Sequence, residues 1–111
     1  MHEYGIALEI AKTAFQTAGE RHISNINLRI GELSGVFSES LAMYLDLIFQ
    51  EKQSSTPVIS VEKIRAKFKC SCETEYAPLK IFDPCPSCGG FDRIVTDGNQ
   101  CTLESIEVED E

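Results

Sequence analysis

Apolar residues recur along this chain with two different periods, and the switches between them mark its elements. From Met1 to Ala18, Tyr4, Leu8, Ala11, Phe15 and Ala18 follow helical spacing with Ile6, Ile10 and Ala14 alongside. This predicts an amphipathic helix that begins almost at the first residue and stops at Gly19. From Ile23 to Ile30 the period falls to two: Ile26, Leu28 and Ile30 alternate with Asn25, Asn27 and Arg29, the pattern of a strand with one polar face. Gly31 to Gly35 turns the chain, and Ser38 fits the N-cap of a second helix. The inward face of that helix is Leu41, Tyr44, Leu45, Ile48 and Phe49, and it should end by Ser54 and Ser55, before Pro57.

Val58 to Phe68 reads as another strand, but its alternation slips near Glu62. Ile59 and Val61 are apolar at odd positions, Ile64, Ala66 and Phe68 at even ones. A bulge, or passage from one body to another, accounts for such a slip. Cys101 to Val108 is strand-like again, with Leu103, Ile106 and Val108 apolar, and should return to pair in the first body. The order αβαβ, cysteine-rich segment, β predicts an α+β fold: two helices packed on a small mixed sheet, with an inserted zinc-ribbon-like lobe. The lobe spans 69–101 and the body 1–68 plus 102–111. The acidic end, Glu107, Glu109, Asp110 and Glu111, reads as a solvated terminus.

The lobe is defined by its thiols. Cys85-Pro-Ser-Cys88-Gly89 is a CxxC turn in which two thiolates converge on one ion while backbone amides face the sulfurs. Cys70 and Cys72 supply a second pair, and the residues between the pairs are enough for a short hairpin that closes one tetrahedral site. Four thiolate ligands leave no open position, so the expected ion is structural Zn(II). Iron in a rubredoxin-like site uses the same ligands but usually two ordinary knuckles. Cys70-Ser71-Cys72 is one spacer short and no glycine follows, so its turn must be strained or differently made, and Cys101 is a candidate substitute ligand. Otherwise Cys101 is a small apolar strand residue.

Composition narrows the class. A chain of 111 residues with 42% hydrophobic content buries one modest core, and a second lobe poor in apolar residues needs its metal to fold. Net charge is -8, and between Cys70 and Cys101 two cationic residues face five acidic ones, a local -3. A phosphate backbone is repelled by such a surface, so nucleic acid is not an expected partner. Nor is a membrane, because no apolar stretch approaches the roughly 20 residues of a span. Without a signal-peptide pattern the expected location is cytoplasmic, where close thiol pairs point to metal rather than disulfides.

A lone terminal histidine is ordinarily a solvated side chain. Here, however, the Met1 amine, the deprotonated amide of His2 and its imidazole close fused chelate rings, and the Glu3 amide offers a further nitrogen. That is a square-planar field suited to Ni(II) or Cu(II). His22, the only other histidine, sits near a helix end and reads as a surface or capping residue.

Taken together, Met-His-Glu opening an amphipathic helix, Asn-Leu-Arg-Ile-Gly-Glu-Leu-Ser-Gly-Val at 27–36, the late CPxCG knuckle and Ser-Ile-Glu-Val-Glu at 105–109 resemble the HypA/HybF family of nickel-insertion accessory proteins over essentially the full length. The resemblance implies a non-enzymatic nickel metallochaperone for [NiFe]-hydrogenase maturation. Its nickel would be transient, bound at His2 with Glu3 as the supporting acidic neighbour, and its separate zinc site would be Cys70, Cys72, Cys85 and Cys88. The implied partners are the GTPase HypB and the hydrogenase large subunit and, in some members, urease maturation proteins. Cys70 and Cys72 stand where the family has CxxC. The chain carries no P-loop of its own and no Ser/His/Asp arrangement, so GTP dependence would belong to a partner. The alternative reading is a zinc-ribbon protein–protein adaptor without a nickel role. An open strand edge and a protruding lobe also suit a homodimer or exchange of elements between chains.

Overall fold

The computed structural model describes residues 3–109. In chain order its elements are α1 (Glu3–Ala18), β1 (His22–Gly31), α2 (Ser38–Lys52), β2 (Val58–Ile64), β3 (Lys67–Cys70), β4 (Glu75–Tyr76), β5 (Arg93–Asp97) and β6 (Cys101–Glu109). They form two three-stranded sheets, β2-β1-β6 and β4-β3-β5. In the first, β1 is central, parallel to β2 and antiparallel to β6, so the closing strand does return to the first body and the sheet is mixed.

The helices cover one face of the first sheet. Ile23, Ile26, Leu28 and Ile30 of β1 are buried against Ala7, Ile10, Ala11, Ala14 and Ala18 of α1 and Leu41, Leu45 and Phe49 of α2. The α1 stripe is rotated from the expected one: Tyr4 and Leu8 are exposed, and the buried line runs through alanines. Small side chains let the helix backbones approach closely, and Phe15 fills the seam by stacking at 4.7 Å on Phe49. Gly19 ends α1, its amide donating to Phe15 O at 3.0 Å.

Two local expectations are revised. Ser38 is not the cap of α2; Phe37 holds that position with no side-chain hydrogen bond. Its own amide instead donates to the Glu3 carboxylate at 3.3 Å, tying the start of α1 to the start of α2. The strand expected from Val58 to Phe68 is two strands, β2 in the first sheet and β3 in the second. The change of face near Glu62 falls within β2, which stays paired with β1 through Ile64; the passage between bodies follows at Arg65 and Ala66.

That passage is tightly stitched. Glu32 N donates to Ile64 O at 2.8 Å, Leu33 N to Gly98 O at 2.7 Å and Gly31 N to Gln100 O at 2.7 Å. The Glu32 carboxylate accepts the Ala66 amide at 2.8 Å, which satisfies the one residue lying between β2 and β3 that could otherwise leave a buried donor unpaired. The whole measures 57 × 23 × 18 Å, an elongated shape. Among the described residues no helix is long and apolar enough to cross a membrane.

Candidate metal centre

The second sheet brings the thiols together. Cys70 ends β3, and β3 continues into β4 through Ser71, Cys72, Glu73 and Thr74. The Cys70 amide donates to Thr74 O and the Glu73 amide to Cys70 O, both at 2.9 Å, which is the bonding of a hairpin with a three-residue loop. The second knuckle repeats this frame with one residue more: Cys85 N donates to Gly90 O at 3.0 Å and Gly89 N to Cys85 O at 2.8 Å. In both, the residue after the second cysteine is left-handed, Gly89 at φ 74° and Glu73 at φ 77°. The short pair is thus both differently turned and strained, because a glutamate holds a conformation that suits glycine.

The expected hairpin between the two pairs is not what joins them. Beyond β4 the chain from 77 to 92 carries no strand and is gathered by Arg93 on β5. Its guanidinium donates to Ile81 O at 2.7 Å, Asp83 O at 2.9 Å and Tyr76 Oη at 3.0 Å, and lies 4.0 Å over the Phe68 ring. Nothing in the sequence singled Arg93 out; a lone arginine amid acidic residues was its only signal.

The outcome is a compact quartet. Cys70 Sγ lies 3.5 Å from Cys88 Sγ and Cys72 Sγ 3.7 Å from Cys85 Sγ, and all four sulfurs fall within 4.8 Å of one another. A tetrahedral ion with metal–sulfur bonds of about 2.3 Å separates its ligands by about 3.8 Å, so the donor set and its spacing fit zinc. Among the described residues this is the only cluster of histidine, cysteine or acidic side chains arranged to hold an ion. Cys101 is elsewhere, on β6 opposite Ile30 and packed against the main core, where burial pushes its thiol up.

Crowding spreads the acidities of the thiols. The hydroxyl and amide of Thr74 draw Cys72 down to about 6, and the Cys88 amide lowers Cys85. For Cys88, the Gly90 amide pulls downward, but hydrogen bonding with the Cys70 and Cys72 sulfurs and loss of water outweigh it and push the thiol up to about 12. Four sulfurs this close cannot all ionise without a cation among them, and a divalent ion would supply that charge.

Of the proposed nickel residues, Met1 and His2 lie outside the described residues. Glu3 opens α1 with its carboxylate on the Phe37 amide. His22 begins β1, with Nε2 3.0 Å from Ser55 Oγ and 3.8 Å from the Glu109 carboxylate, a surface role away from the thiols. Glu107 and Glu109 belong to β6, while Asp110 and Glu111 lie outside the described residues.

Two helices on a mixed sheet with a separate four-thiol lobe define a small protein of the α+β class with a candidate metal site. Residues 1–108 match the family described as "Hydrogenase/urease nickel incorporation, metallochaperone, hypA", and the chain belongs to this HypA family. It is 37% identical to the hydrogenase maturation factor HypA of Dehalococcoides mccartyi (strain CBDB1), covering 100% of this chain and 97% of that one. It is 32% identical to that of Geotalea uraniireducens (strain Rf4), covering 98% and 100%. The solution structure of the Ni metallochaperone HypA from Helicobacter pylori shares the fold, with a TM-score of 0.69 at 21% identity over 100% of both chains.

Proposed function

We propose that this chain binds Ni(II) at its N-terminus, through the Met1 amine, the amide and imidazole of His2 and the backbone of Glu3, and delivers it during [NiFe]-hydrogenase maturation. Cys70, Cys72, Cys85 and Cys88 hold a structural Zn(II). The observation that carries the reading is the family match over residues 1–108, which takes in both the terminus and the quartet. Glu3 opens α1, where the first amides have no acceptor within the helix, so its nitrogen can release its proton to solvent and ligate a metal while its carboxylate holds Phe37.

In this reading the first sheet with its two helices is the nickel-binding body and the second sheet the zinc lobe; the expected bounds, 1–68 plus 102–111 and 69–101, shift because β3 already belongs to the second sheet from Lys67 and Cys101 opens β6 of the first. Ni(II) is transient cargo, handed on with the GTPase HypB to the hydrogenase large subunit in the cytoplasm; urease maturation proteins are recipients in some members of the family. Amine and imidazole must lose protons to bind, so nickel is released as pH falls through the histidine range.

Nickel X-ray absorption on untagged protein tests the site. A planar, nitrogen-rich signature is expected for the wild type and its loss for His2→Ala, with zinc content unchanged in both. Calorimetry on a variant extended at the N-terminus should likewise lose stoichiometric nickel. Unaltered nickel affinity in both variants would sink the site, and zinc alone after nickel exposure would favour the adaptor reading.

A further inference from the structure

Leu79, Phe82 and Phe91 are 87%, 85% and 61% exposed. A small chain short of core material gains from burying such side chains, at about 1.5–3 kcal/mol each when fully covered. Their exposure is not that of a slack loop. Lys80 N donates to the Asp83 carboxylate at 3.1 Å, and Asp83 N to Lys80 O at 2.9 Å. Arg93 holds the carbonyls of Ile81 and Asp83, and Arg65, from the crossing between the sheets, donates to Pro78 O. With its carbonyls turned toward these two arginines, the loop holds Leu79 and Phe82 out to solvent. Phe91 flanks the same guanidinium, 5.8 Å from its carbon, so the loop and the ring border one arginine.

We propose that these three side chains form a preorganised docking face, and that its occupant is a protein surface with an apolar cleft bordered by lysine and arginine. Rigid exposed anchors of this kind bind without the cost of ordering them first. The choice of occupant follows from charge. The segment from Cys70 to Cys101 carries -3 with Lys80 and Arg93 counted, the Arg93 guanidinium is spent on the Ile81 and Asp83 carbonyls, Asp83 and Asp92 adjoin the anchors, and four thiolates around one divalent ion would add about -2. The proposal rests on the delivery reading only in supposing a protein recipient.

The test uses the zinc-loaded full chain and two probes followed by fluorescence anisotropy: a short amphipathic helix of leucine and lysine, and its twin of leucine and glutamate. The cationic probe should bind the wild type at least about ten-fold more tightly than the acidic twin, and Leu79→Ser/Phe82→Ser should weaken it about ten-fold or more, as loss of interface anchors does. Leu8→Ser/Met43→Ser, which removes exposed apolar groups on the helices, should leave binding unchanged. Amide resonances of the wild type should shift at 79–82 and 91 on titration. Absence of binding, equal binding of the twins, wild-type affinity in the lobe variant, or loss in the helix variant instead would each overturn the proposal. His2→Ala should bind the cationic probe like the wild type, which separates a failed docking face from a failed nickel site.

Discussion

Gly31 and Gly98 meet backbone to backbone at the seam between the sheets. A Cβ on Gly31 would overlap the Gly98 carbonyl group, and one on Gly98 would stand 2.7 Å from Ala66 Cα. Gly98 is also left-handed at φ 96°. The end of β1 and the two crossing segments can interlock only because neither glycine carries a side chain.

Gly31→Ala should therefore destabilise the zinc-loaded protein by on the order of 3 kcal/mol, the upper range for forcing extra atoms into packed structure. Urea unfolding measures it. A loss below about 0.5 kcal/mol, the size of an ordinary surface effect, would contradict the close approach.

The two knuckles should respond alike to bulk at the left-handed position, and the short one should tolerate its removal. Gly89→Ala puts a side chain at φ 74° and should cost about 1–2 kcal/mol. Glu73→Val, β-branched at φ 77°, should lose more than the glutamate it replaces, whereas Glu73→Gly should be no less stable than wild type. The ion pair of Glu73 with Lys69 at 3.5 Å is exposed and weighs little against this. Zinc affinity by competition with a coloured chelator should follow the order glycine, glutamate, valine at 73; valine as good as glycine would dismiss the strain.

Zinc affinity should rise with pH, and its fall toward acid should steepen. Cys88, pushed up to about 12, is protonated at neutral pH and must release its proton on binding. Cys72, drawn down to about 6, is already ionised at pH 7 and contributes no proton there. Below about 6 it too becomes protonated, so the fall in affinity with acid should steepen. Chelator competition between pH 5 and 8 reads both limbs; a slope that flattens toward acid pH would contradict the assignment.

Arg93→Lys should behave as a loss, not a conservative change. Lysine cannot reach Ile81 O, Asp83 O and Tyr76 Oη from one planar group that also stacks on Phe68, and the expected cost is about 2–3 kcal/mol. Amide exchange should speed up across 77–83 while α1 and β1 stay protected. Unchanged exchange in the loop would remove Arg93 as its anchor.

What the sequence made legible is what repeats locally. The 3.6-residue period located both helices, the two-residue period located β1 and β6, and paired thiols located the quartet. The slip near Glu62 fell a few residues short of the crossing at Arg65 and Ala66, and one strand was expected where there are two. The α1 stripe was misjudged by taking the largest side chains as the inward ones, when alanines allow the closer contact with α2. Partnerships across long separations left no pattern: Arg93 with Ile81, Glu3 with the Phe37 amide, Gly31 with Gly98. The short knuckle announced an anomaly, but its remedy, a three-residue hairpin ending in a left-handed glutamate, is a matter of backbone geometry that residue types do not display.

The hydrogen bonds at Gly31, Glu32 and Leu33 give the molecule a mechanical character. The outgoing and returning segments are both riveted to the same end of β1, and the other end of β1 is clamped by Gln53, whose side chain accepts the Ile23 amide and donates to the Ile23 carbonyl. The metal lobe is thus a lever bolted to a keel rather than a bead on a string. Torque applied to its tip must shear backbone hydrogen bonds at the end of the central strand, and the far end of that strand answers to the last turn of α2.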